Sequence, residues 1–247
     1  MIKNTHSKIR KAYNLIKFWL IEKTFEKRLK YLFFGKNNDT ILICFSAFPR
    51  GKFRVYNYVK GFADTNIDRL YINDTFGYKG SYYLFENGSE EPFKLTCALI
   101  QKYICSGKYR HIYTAGTSKG GSCAIIFGLL FKAEKIFSGA CQYHLGTYLN
   151  VPTRYRIFEG MMGKNASKKE EAVLNDFMPS IIMNNKDSQS VVYLLYSKQE
   201  HTYEEDVKDL IDDLNKNNIP IVEQEEFFRD HNSVGGYFIP FVKSVIG

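Results

Sequence analysis

The chain has 247 residues, 45% of them hydrophobic and 16% aromatic, and carries a formal net charge of +8. That apolar content fills one α/β domain or two small ones and excludes a disordered chain, while the positive balance favours acidic partners: nucleic acid, anionic lipid or anionic polysaccharide. The five cysteines include no C-x-x-C pair and lie mostly in apolar runs, which suits buried thiols in a reducing compartment better than a disulfide framework, and the five histidines never fall at metal-ligand spacing, so no metal is expected.

In chain order, residues 1–34 come first. "SKIRKAYNLIKFWLIEKTFEKRLKYLFF" sets Ile9, Tyr13, Ile16, Leu20, Phe25, Leu29 and Leu32 at helix-like spacing with Lys and Arg on the other face, which predicts a basic amphipathic helix broken near Glu22. Charges interrupt every apolar run well before the roughly 18 residues of a membrane span, and the segment does not read as a signal peptide either. Such a helix either packs on the domain or on a second copy in a homo-oligomer, or it touches an anionic membrane surface or a membrane-bound assembly.

From residue 41 the chain alternates short apolar runs with helical patterns. Strands are predicted at 41–45, 69–72, 111–115, 135–137, 191–196 and 219–222, and helices at 54–63, 93–105, 119–132, 203–217 and 234–245. This alternation implies a mostly parallel sheet with helices on both faces, one α/β domain over 35–247. Residues 151–189, largely helical and polar, break the alternation and read as a small cap inserted over the C-terminal ends of the strands, where a ligand crevice belongs. No nucleic-acid module is legible, and the aromatics alternate with apolar residues rather than with Lys and Arg, so nucleic acid is not an expected partner.

The chemistry centres on Gly116-Thr117-Ser118-Lys119-Gly120. In G-x-S-x-G a serine sits on a strained strand-to-helix bend, and the glycines remove Cβ atoms that would clash there. The string alone also fits a Gly-rich turn with a satisfied serine, so it needs partners. In an α/β hydrolase these follow in the order serine, acid, histidine. Glu200 lies four residues beyond the 191–196 strand, and His231 lies in the loop after the last strand. His231 would take the proton from Ser118 while Glu200 accepts its other N–H. Glu204, Glu205 and Asp206 read instead as the acidic first turn of a helix, Asp230 as facing another way, His201 as a competing base, and His144 as a loop residue bordering the pocket. Cys123 fits core packing. Oxyanion donors are expected from the Lys119 amide and from that of Ala47 or Phe48, since Pro49 has no N–H. Arg50, Lys52 and Arg54 would stand at the rim, joined by Arg154 and Arg156 of the cap; they either hold an anionic substrate or form an ordinary solvated surface.

"FSAFP", "YNYVKGF", "GSYYL" at 80–84, "GTSKGG", "NDF" at 175–177, "SKQE" and "DHN" occur in this order. Together they resemble the α/β-hydrolase-type capsular polysaccharide O-acetyltransferases over about residues 40–245, leaving the N-terminal segment uncovered. The resemblance implies an α/β-hydrolase-like fold, a Ser118–His231–Glu200 triad and acetyl-CoA as co-substrate with no bound cofactor. It further implies an anionic capsular polysaccharide as acceptor and a cytoplasmic protein, peripheral at the inner face of the membrane if residues 1–34 bind there. Thr117 and Glu200 stand where the family pattern has Ser and Asp, and both changes keep the chemistry. The same triad would serve a carbohydrate acetyl esterase. A non-catalytic glycan-binding or export-complex protein is the third reading, and an intact triad argues against it.

Overall fold

The computed structural model describes residues 18, 20–49 and 56–247. Its strands are β1 (Lys23–Phe25), β2 (Leu29–Phe34), β3 (Thr40–Phe45), β4 (Asp68–Asn73), β5 (His111–Thr117), β6 (Lys135–Gly139), β7 (Val191–Tyr196) and β8 (Ile221–Glu225). They form one sheet in the order β1-β2-β4-β3-β5-β6-β7-β8. β3 to β8 run parallel to one another, and β1 and β2 are antiparallel at one edge.

That edge corrects the second half of the helix expected over residues 1–34. Residues 1–17 and 19 lie outside the described residues, and 18, 20 and 21 are helical, but past Glu22, where the break was expected, 23–34 are a β-hairpin turned by Glu26 and Lys27 at φ 47° and 59°. Leu29 and Tyr31 enter the core on one face of the sheet and Leu32 on the other. The strand therefore has no clean polar side, and its aromatic-rich LKYLFF run gains more from pairing with β4 than a lone amphipathic helix gains from exposure.

Central parallel strands are covered on both faces, and β3 (TILICF) and β7 (VVYLLY) accordingly read as apolar runs. In β3, Ile41, Ile43 and Phe45 join one core, while Leu42 and Cys44 join the other. The first face carries α1 (Glu91–Ile104), α2 (Lys119–Leu130), α3 (Leu145–Leu149), α4 (Tyr155–Met162), α5 (Lys168–Asn184) and α6 (Lys208–Lys216); the second carries α7 (Val234–Ile246). α2 is buried from Lys119 to Leu129, as a helix that is apolar all round must be. Among the described residues no helix is long and apolar enough to cross a membrane.

One further expectation changes. Residues 57–63 of the helix expected at 54–63 are a succession of turns with Tyr58 at φ 65°, which an α-helix cannot accommodate. Residues 151–189 hold α4 and α5. Parallel neighbours such as β6 and β7 need a long crossover, and α5 is part of it, opened by a Ser167–Glu170 capping box and burying Leu174, Met178 and Ile182 against the sheet-side core.

The sheet order also fixes where a ligand crevice opens. From β3 the chain passes to β4 on one side and returns to β5 on the other, so the loops after β3 and β5 part at a topological switch point.

Candidate active site

Ser118 follows β5 at that switch point, at φ 52° and ψ −129°. A non-glycine residue there costs about 1–3 kcal/mol, and its neighbours hold it in place. A Cβ on Gly116 would lie 2.1 Å from the Gly120 carbonyl oxygen, and one on Gly120 would lie 2.5 Å from that of Phe45, so both glycines of the motif are needed for close backbone approach. The Ser118 N–H donates to the Gly139 carbonyl at 2.8 Å, tying the bend to β6.

Glu200 and His231 come from the loops after β7 and β8. Ser197 joins the loops: its Oγ accepts from Gln199 N at 3.3 Å and from Phe228 N at 3.1 Å. Asp230 accepts the Asn232 N–H at 3.1 Å and so shapes the turn that presents His231. The Glu200 carboxylate is 3% exposed. Its Oε1 lies 3.1 Å from His231 Nδ1 and 2.5 Å from His201 Nδ1, and its Oε2 accepts from the Thr202 amide at 3.2 Å and from the Thr202 hydroxyl. Burial opposes ionisation, but the hydrogen bonds from His231 and Thr202 and the charge of the imidazoles outweigh it and hold the carboxyl below the usual range. His231 Nε2 is buried with no partner among the described residues. Ser118 Oγ instead accepts from Gln142 Nε2 at 3.2 Å.

The other titratable candidates have different roles. Asp206 accepts the Tyr143 and His144 amides, each at 2.8 Å, and its burial raises its pKa, so it braces the loop after β6. His144 pairs with Asp209 at 2.8 Å. Glu204 and Glu205 are exposed. His201, with its side chain 49% exposed, shares the carboxylate of Glu200 rather than lining the cleft beside Ser118. Cys123 is fully buried on α2, and burial pushes its thiol pKa up.

Ser118 and His231 open on one cleft of about 560 Å³, with Phe48, Tyr58, Tyr148 and Val234 among its walls. Of the expected amide donors, Lys119 is the first residue of α2, where an N–H has no intrahelical acceptor, and Phe48 lines the cleft. The Ala47 N–H already donates to Asn57 Oδ1 at 2.9 Å, so of the two loop amides Phe48 is the available one. Arg50, Lys52 and Arg54 lie outside the described residues. Arg154 stacks 3.9 Å from the centroid of the Tyr148 ring, one layer behind the cleft, and Arg156 lies over Tyr78.

Beneath the bend is an ion pair that the sequence reading missed. The Lys119 ammonium is fully buried, 2.7 Å from Asp74 Oδ2 and 4.6 Å from the Tyr83 ring centroid. Asp74 also accepts the Ser81 and Tyr83 amides at 2.7 and 3.2 Å, and the Tyr83 hydroxyl accepts the Ser46 N–H at 2.9 Å. Elbow, β3 loop and β4 loop are thus one polar network. A lysine inside G-x-S-x-G at the head of an apolar helix, with an aspartate just past a strand, is the signal that could have suggested it. Lys119→Met leaves the Asp74 charge buried and unpaired, so it is expected to destabilise the protein by ~3–5 kcal/mol. Denaturant unfolding would check this, and a loss below ~1 kcal/mol would show the pair to be incidental.

No protein-family model matches the chain, and no curated protein matches it in sequence. Its structure is similar to the capsule O-acetyltransferase of Neisseria meningitidis serogroup A, a His-to-Ala mutant in complex with CoA, with TM-score 0.77 and 24% identity over 92% of this chain and 94% of that one. The glycosylation associate protein complex of Streptococcus agalactiae gives TM-score 0.71 and 17% identity over 88% of this chain and 44% of that one. The fluorophosphonate-binding serine hydrolase F of Staphylococcus aureus, substrate bound, gives 0.60 and 12% over 89% and 92%. With the mostly parallel sheet, these likenesses make the fold α/β-hydrolase-like.

Proposed function

We propose that this chain is an O-acetyltransferase that moves acetyl from acetyl-CoA to a sugar hydroxyl of a bacterial capsular polysaccharide through a Ser118 acyl-enzyme. The observation that carries the reading is the strained serine bend facing a Glu200-bound imidazole across one cleft, within a fold that matches a CoA-complexed capsule O-acetyltransferase over almost its full length.

The chemistry runs in two displacements. Ser118 Oγ attacks the thioester carbonyl as its proton passes to His231 Nε2, the oxyanion is held by the Lys119 and Phe48 amides, and the C–S bond breaks as the CoA sulfur takes the proton. A sugar hydroxyl then attacks the acyl-enzyme, gives its proton to His231, and the ester bond to Oγ breaks as Oγ takes that proton back. Glu200 fixes the His231 tautomer and stabilises the imidazolium. The chain's net charge of +8 suits an anionic acceptor, with Arg50, Lys52 and Arg54 as the cationic residues proposed for the rim.

Incubation with labelled acetyl-CoA and candidate capsule polymers tests the reading, with Ser118→Ala as control. Label in the polymer is the expected result; acetate released from acetyl-CoA equally with and without polymer would make the protein an acetyl-CoA hydrolase rather than a transferase. Glu200→Gln is expected to lower turnover by ~10⁴-fold, less than loss of the serine or histidine. The amide keeps an oxygen for one imidazole but loses the charge that stabilises the imidazolium. If Asp206→Asn were the more damaging change, the acid would be misassigned.

A further inference from the structure

One side chain bonded to the nucleophile has no part in the triad. Gln142 follows β6, is fully buried, and donates from Nε2 to Ser118 Oγ at 3.2 Å. Its other end is also held: the Tyr82 hydroxyl donates to Oε1 at 3.2 Å, with the NH₂ end on Ser118. The backbone of Gln142 is anchored as well. Its N–H donates to Ser122 Oγ at 3.1 Å, and its carbonyl accepts from the same hydroxyl at 2.7 Å, on the helix that Ser118 opens.

A carboxamide NH₂ can only donate, so Ser118 Oγ accepts from Gln142. In that same arrangement His231 Nε2 is buried and, among the described residues, unpaired, and no hydrogen bond joins it to Oγ. A hydroxyl that accepts from the amide keeps its own proton to donate, but in this arrangement Oγ is held on Gln142 and makes no bond to the orphaned acceptor. Given the reading of Ser118 as nucleophile, we infer that Gln142 is a positioning residue that sets the balance between two serines. One is a resting serine bonded to the amide. The other is a reactive serine whose O–H is donated to His231. An acyl donor activates the enzyme by binding the second arrangement more tightly than the first. In the free protein the amide keeps the hydroxyl from spending itself on adventitious electrophiles.

An alkyl fluorophosphonate tests this on the full chain without any acyl donor. Oγ–P bond formation expels fluoride and sends the hydroxyl proton to His231, so the second-order labelling rate reads the population of reactive serine. The rate is followed by intact mass, with the site mapped by peptide mass, in wild type, Gln142→Met and Tyr82→Phe. Gln142→Met, which keeps the chain length but not the donor, is expected to label about three- to tenfold faster than wild type. Tyr82→Phe, which leaves the amide unoriented, should label faster by a smaller factor and serves if Gln142→Met does not fold. A purely structural glutamine would predict slower labelling as packing loosens. Equal or slower labelling at Ser118 in both variants overturns the inference while leaving the nucleophile in place, whereas no labelling of Ser118 in any of the proteins overturns both.

Discussion

Ser118→Ala is expected to lower acetyl transfer by ~10⁵- to 10⁶-fold, because a triad member acts as part of a unit and the residual rate comes from binding and oxyanion contacts alone. The fold should survive. Alanine keeps the Cβ that already sits at φ 52°, the Ser118 N–H bond to Gly139 is backbone, and the lost hydroxyl contact is the single bond from Gln142. Steady-state transfer with labelled acetyl-CoA, beside a thermal midpoint within a few degrees of wild type, would check both halves of the expectation. Substantial transfer by a well-folded Ser118→Ala would remove the covalent mechanism.

His231→Ala should fall by a comparable factor, since without Nε2 neither the serine nor the acceptor hydroxyl loses its proton. The structure gives this variant a distinguishing signature. Glu200 keeps its bonds from His201 and Thr202 when His231 is gone, so the acid loop should stay in place and the space left should admit free imidazole. Partial rescue of CoA release by added imidazole is therefore expected for His231→Ala and not for Ser118→Ala. Should His201→Ala prove the more damaging of the two histidine changes, the base would be the wrong imidazole.

Much of this was legible in the sequence, for local reasons. β3 and β7 are apolar runs because parallel strands are covered on both faces, and the elbow glycines are set by backbone contacts that no other residue fits. Glu200 and His231 could be placed because each follows a strand at a predictable remove. The misreadings arose where tertiary contacts decide. The double-sided burial of Leu29, Tyr31 and Leu32 in β2 mimicked a helical stripe. Gln142 and Asp74 escaped notice because their partners are remote in the chain: Tyr82 is 60 residues from Gln142, and Lys119 is 45 from Asp74. His201 and His231 meet the same Oε1 of Glu200, and sequence adjacency does not say that the two rings share one carboxylate oxygen.

The central claim is that the acetyl group passes through Ser118, and acid-quenched mass spectrometry after mixing with acetyl-CoA, acceptor omitted, tests it most directly. A mass increase of one acetyl group is expected on the peptide containing Ser118, discharged when acceptor polymer is added and absent in Ser118→Ala. An enzyme that transfers acetyl to polymer at full rate while no acetyl is ever found on Ser118, even at the earliest quench, would contradict it.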